Sequence, residues 1–113
     1  MNPGLRELAL ALPETEEKLT WEVHPTFRVR DKIFAILSED EKSVRVKATK
    51  QAQEALVGSE PRTFFVPSYV GRHGWVGINL DRVDAVELEE LLEEAWRLTA
   101  PKKMVRAFDE TAI

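Results

Sequence analysis

The sequence predicts a single α+β domain, an antiparallel β-meander with helices packed on one side. Three observations predict it. Apolar spacing switches from helical to alternating after Pro13 and returns to helical after Asp84. Between Thr15 and Thr49, short alternating runs are separated by brief polar or proline breaks, the spacing of hairpins rather than of βαβ crossovers. A chain of 113 residues suits one domain with one core, so residues 1–113 are taken as a unit.

Asn2-Pro3 reads as an N-cap followed by proline at the first helical position, and Leu5, Leu8, Ala9 and Leu12 continue at helical spacing until Pro13. Lys18 to Val23 reads as a first strand with Leu19, Trp21 and Val23 on one face, broken by His24-Pro25. Thr26 to Arg30 alternates, with Phe27 and Val29 opposite Arg28 and Arg30. Asp31-Lys32 is the turn candidate, without the usual glycine. Ile33 to Leu37 is a continuous apolar run, which implies burial on both faces. After the polar turn Ser38 to Lys42, the next strand places Val44 and Val46 inward and Arg45 and Lys47 outward.

Thr49 is suited to cap a helix over Lys50 to Val57, closed by Gly58. Thr63 to Val66 reads as an edge strand stopped by Pro67. A loop with two glycines, Pro67 to Gly74, leads into a strand from Trp75 to Leu80. Asp84 and Glu87 have capping-box spacing ahead of Leu88, Leu91, Leu92, Ala95 and Trp96. Pro101 then starts a last helix with Met104, Val105 and Phe108 inward.

Composition narrows the function. The absence of cysteine excludes disulfides, thiolate metal sites and a thiol nucleophile, and it suits a cytoplasmic protein. No apolar run is long enough to span a bilayer. A hydrolytic triad would need His24 or His73, and no serine sits in a G-x-S-x-G elbow. Two histidines make a poor transition-metal site, and His24 near Glu22 reads as a surface residue at a strand end. Gly71-Arg72-His73-Gly74 lacks the spacing of a phosphate loop and precedes a strand. Glu87, Glu89, Glu90, Glu93 and Glu94 crowd one helix and read as a solvated face. The expectation is a protein without catalytic residues, metal or cofactor.

Charge is unevenly placed. From Arg28 to Lys50 seven cations (Arg28, Arg30, Lys32, Lys42, Arg45, Lys47, Lys50) face four acids (Asp31, Glu39, Asp40, Glu41), so a net +3 segment lies within a chain of net −4. Alternation puts Arg28, Arg30, Arg45 and Lys47 on one side of the sheet, a side suited to a phosphate backbone. Tyr69, Arg72, His73 and Trp75 add aromatics and donors on the loop, Trp75 reading rather as core. Lys102 and Lys103 stand in the first turn of the last helix, where the helix dipole disfavours cations; they are a candidate anion site.

Three stretches carry a resemblance. Leu12-Pro13-Glu14-Thr15-Glu16, followed by His24-Pro25-Thr26-Phe27-Arg28-Val29 and Lys32-Ile33-Phe34-Ala35, resemble the MmcQ/YjbR family. Pro67-Ser68-Tyr69-Val70-Gly71 with Gly74-Trp75-Val76 is similar to its second signature, and Thr99-Ala100-Pro101-Lys102-Lys103 to its ending. The resemblance implies a frataxin-like (CyaY-like) fold and a DNA-binding role of the double-wing type. The positions it would recruit are Arg28, Arg30, Lys47, Tyr69, Arg72 and His73. Frataxin relatives bind iron through an acidic first helix; here that helix carries only Glu7, so iron handling is not expected. The leading expectation is thus a non-enzymatic DNA-binding or regulatory protein. The alternative is a small-ligand or protein-interaction module, with the Tyr69–Trp75 loop as a pocket lip or the Ile33–Leu37 strand as a homodimer surface.

Overall fold

The computed structural model describes residues 4–20 and 24–111. The chain runs α1 (Leu5–Leu10), β1 (Thr15–Thr20), β2 (His24–Val29), β3 (Lys32–Leu37), β4 (Ser43–Val46), α2 (Lys50–Ser59), β5 (Phe64–Phe65), β6 (Val76–Asn79), α3 (Ala85–Thr99) and α4 (Lys102–Thr111). Among the described residues six strands form one antiparallel sheet in the order β1-β2-β3-β4-β6-β5. The α+β class and the meander are as the sequence predicts. β6 adds to the meander beside β4, and β5 closes the far edge.

The core lies between one sheet face and the helices α1 and α3, which touch each other while α3 lies against β3 and β4. Phe27, Val29, Ala35, Leu37, Val44, Val46, Val76 and Ile78 fill the sheet side, and Leu88, Leu92, Ala95 and Trp96 fill the α3 side, all buried. The helical spacing of α3 produces this face, and Asp84 caps it by accepting from the Glu87 amide at 2.8 Å. Thr49 caps α2 in the same way, accepting from Ala52 N at 3.1 Å. Gly58 does not end α2, which continues to Ser59.

Several boundaries differ from the sequence reading. α1 begins at Leu5 after Gly4; Asn2 and Pro3 lie outside the described residues, as do Trp21 and Val23 of the first strand. That strand starts at Thr15, not Lys18. His24 and Pro25 do not interrupt the sheet; they pair with Thr20 and Leu19. Proline is tolerated here because it stands at the start of β2, before the β2–β3 pairing begins at Thr26.

Two departures concern the basic face. The β2–β3 hairpin turns on Arg30-Asp31, with Val29 paired to Lys32, and not on Asp31-Lys32. Both turn residues have positive φ, 51° and 65°, the two-residue geometry that suits strand twist. Neither is glycine, and the left-handed conformation costs an L-residue roughly 1–2 kcal/mol. Replacing Arg30-Asp31 by Asn-Gly is therefore expected to raise stability by ~1 kcal/mol, read as a higher urea midpoint, because the exposed ion pairs lost contribute little.

The second departure is in β3. Its run Ile33–Leu37 is not buried on both faces. The β2–β3 register slips by one residue, so that Phe27 faces Ala35 but Arg28 faces Ile33. Phe34 is the extra residue of this bulge, and its side chain falls on the core face beside Ala35. Ile33 and Ile36 are left half-buried on the other, outer face.

Candidate nucleic-acid interface

The register sets the outer face in rows. One row runs Glu16, Arg28 and Ile33 across β1, β2 and β3. Lys47 comes just past the end of β4, where its amide donates to Phe34 O at 2.9 Å. The next row runs Lys18, Thr26, Ile36, Arg45 and Gly77, with Phe65 paired to Gly77 at the edge. Arg28 and Lys47 thus lie on either side of β3, roughly 10 Å apart at two strand spacings. Arg45 stands one row along, beyond Ile36.

These cations are held differently. Arg28 donates from Nε to Thr26 Oγ1 at 3.1 Å and from a terminal nitrogen to Thr20 Oγ1 at 2.9 Å. Thr26 is buried and donates in turn to Lys18 O at 2.7 Å, so the guanidinium is aimed by neutral hydroxyls rather than by a direct ion pair, with Glu16 opposite it in the row and Asp31 acting on it at longer range. Among the described residues no carboxylate comes within ion-pair distance of Arg28, Arg45 or Lys47. Lys18 is different: it pairs with Asp31 at 2.9 Å and Glu16 at 3.6 Å.

A loop folds back over the second row. Ser68, Tyr69 and Val70 face His24, Ile36 and Arg45 across a groove of about 380 Å³. Tyr69 has φ 63° and ψ −69°, and Val70 N donates to Ser68 O at 2.7 Å, closing a γ-turn of the rare strained kind. A non-glycine residue held there costs on the order of 1–3 kcal/mol. Tyr69 is 88% exposed. A short 3-10 turn over Val70–His73 follows. The buried Gln53 of α2 anchors it, donating from Nε2 to Gly71 O at 2.8 Å and Trp75 O at 2.6 Å.

The sequence-predicted residues are thus only partly brought together. Arg28, Lys47 and Tyr69 share the outer face or its rim. Arg30 does not join them: its place in the hairpin turn aims it at Glu14, which accepts from Nε at 2.9 Å. This pairing holds the Glu14 carboxyl below its usual range. Arg72 and His73 are exposed and bonded to each other at 3.4 Å, outside the groove lining. Lys102 and Lys103 are exposed in the first turn of α4, and Lys103 borders a depression that already holds the Glu14–Arg30 pair. Trp75 is half-buried at the loop's end.

Alternation places Arg45 on this face, but its role as the groove's cation depends on the loop folding back, which periodicity does not encode. Ile36 and Ser68 join the site for the same reason. The helical layer carries the opposite charge. On α3, Glu89, Glu90 and Glu94 are exposed and Glu87 and Glu93 half-buried, across the core from Arg28, Arg45 and Lys47. No helix among the described residues is long and apolar enough to cross a membrane.

This architecture and these signatures have counterparts. A solved structure of the Deinococcus radiodurans protein DR2400, described as a DUF419 domain, is similar with a TM-score of 0.75 and 24% identity, over 83% of this chain and 74% of that one. The uncharacterized protein Rv2570 of Mycobacterium tuberculosis is 37% identical over 54 residues, 48% of this chain and 42% of that protein; uncharacterized protein Mb2600 of Mycobacterium bovis matches to the same extent. The matched stretch spans less than half the length of these relatives. The YjbR family model matches residues 10–98, most of the chain from the end of α1 to the end of α3, so the protein belongs to the YjbR family.

Proposed function

We propose that this chain is a non-enzymatic DNA-binding protein that lays the outer face of its sheet against a phosphate backbone. The observation that carries this reading is the pair Arg28 and Lys47, set on either side of β3 with no described carboxylate within ion-pair distance, and Arg45 on β4 beside them. Cations set across the sheet in this way suit a phosphate backbone, and Tyr69 at the rim adds a ring for sugar or base contact. The acidic α3 is on the other side of the core, so the chain's net −4 is compatible with a locally positive face.

Fluorescence anisotropy with a labelled 30-base-pair duplex tests it, the duplex length chosen to exceed the face. At ~50 mM salt, Arg28→Ala/Lys47→Ala is expected to weaken binding about tenfold or more, as loss of two phosphate contacts implies. Lys42→Ala, in the turn at the end of β3, is the control and should change affinity less than about twofold. Absence of binding by the unmodified protein at this salt, or an equal effect of all three substitutions, would remove the reading.

A further inference from the structure

We infer that the groove beneath Tyr69 binds a small organic carboxylate with a flat apolar body. Its walls are mostly apolar, from Ile36 and Val70, and its volume of about 380 Å³ falls within the range of small-molecule sites. Arg45 enters this groove half-buried, and no described carboxylate pairs with it. A guanidinium drawn partly out of water without a counter-charge favours an anion that brings apolar surface with it, and its fork matches a carboxylate with two parallel bonds. Ser68 adds a hydroxyl at the rim, and the exposed Tyr69 supplies a ring on which a flat body can stack.

This site shares Arg45 and Tyr69 with the phosphate-facing reading but can be tested apart from it, because that reading needs Arg28 and Lys47 and this one does not. Its geometry also separates ligand classes. A carboxylate alone gains only the exposed part of the ion pair, and an apolar body alone leaves the guanidinium uncompensated. Both parts are needed.

Tyr69 is the sole tyrosine of the chain, so protein labelled with 3-fluorotyrosine gives one fluorine resonance that reports on the groove. Titration with 2-naphthoate is expected to shift this resonance saturably, with a Kd in the range of roughly 10 μM to 1 mM for so small a ligand. The uncharged 2-naphthalenemethanol should bind at least about tenfold more weakly, and Arg45→Gln should reduce naphthoate binding by a similar factor. Arg28→Ala/Lys47→Ala should bind naphthoate as the unmodified protein does. No saturable shift, equal binding of the alcohol, or full affinity in folded Arg45→Gln would overturn the assignment. Folding of that variant is checked by its amide spectrum.

Discussion

Trp96→Ala is expected to lower the unfolding free energy by about 3–5 kcal/mol, the cost of truncating a large buried aromatic. Trp96 is fully buried on α3. Its ring packs at 55° against Phe108 of α4 with centroids 5.1 Å apart, and its Nε1 donates to Pro13 O at 3.0 Å across 83 residues of sequence. One side chain therefore joins α3, α4 and the turn between α1 and β1. Domains of this size have ~5–15 kcal/mol in total, so the variant should sit near the edge of folding. Trp96→Phe separates the parts. It keeps most of the apolar volume but leaves the Pro13 carbonyl without its donor, and about 1–2 kcal/mol is expected. Urea unfolding followed by circular dichroism gives both values. Equal costs for the two variants would show that the hydrogen bond, not the packing, dominates.

Gly74→Ala is expected to cost about 2–4 kcal/mol, through backbone strain plus a clash that no rotamer relieves. Gly74 has φ 95°, and a Cβ built there would lie 2.8 Å from Lys50 N and 2.9 Å from Ala48 O. Both neighbours are backbone atoms, at the junction of β4 and α2. Gly77 makes a useful contrast, because the nearest atoms a Cβ there would meet belong to the Phe65 ring, at 2.3 Å, and a side chain can swing away. Because Gly74 ends the turn that follows Tyr69, its replacement should also loosen the loop. The same variant should therefore show faster amide exchange at residues 68–75 than at β2 and β3. Loss of stability without that local change would mean that the loop is held by its other bonds, those of Gln53 and Lys50 to Gly71 O among them.

Much of the fold was legible in the sequence, and the gaps have physical causes. The alternation of Phe27 and Val29, Val44 and Val46, and the helical spacing from Leu88 to Trp96, each report a one-sided burial that recurs at fixed intervals. The capping residues Thr49 and Asp84 are local signals and appear where the spacing puts them. The bulge at Phe34 is a pairing event between two strands, so the run Ile33–Leu37 looks doubly buried until the register is known. Arg30 was misplaced because a turn without glycine leaves no mark at the dipeptide that forms it. Of the candidate site, the cations Arg28, on β2, and Lys47, just past β4, were readable from alternation. The groove was not, since Arg45, Ile36 and Tyr69 meet only when the loop folds over the outer face.

The central claim is that Arg28 and Lys47 contact phosphates, and the salt dependence of duplex binding tests it most directly. For two to four such contacts, log K against log salt should fall with a slope of about −2 to −4, a loss of roughly 10- to 150-fold between 50 and 200 mM. Arg28→Ala/Lys47→Ala should flatten that slope by about 2, one unit per contact removed. A slope unchanged by the double substitution, or no measurable binding at the lowest salt, would contradict it.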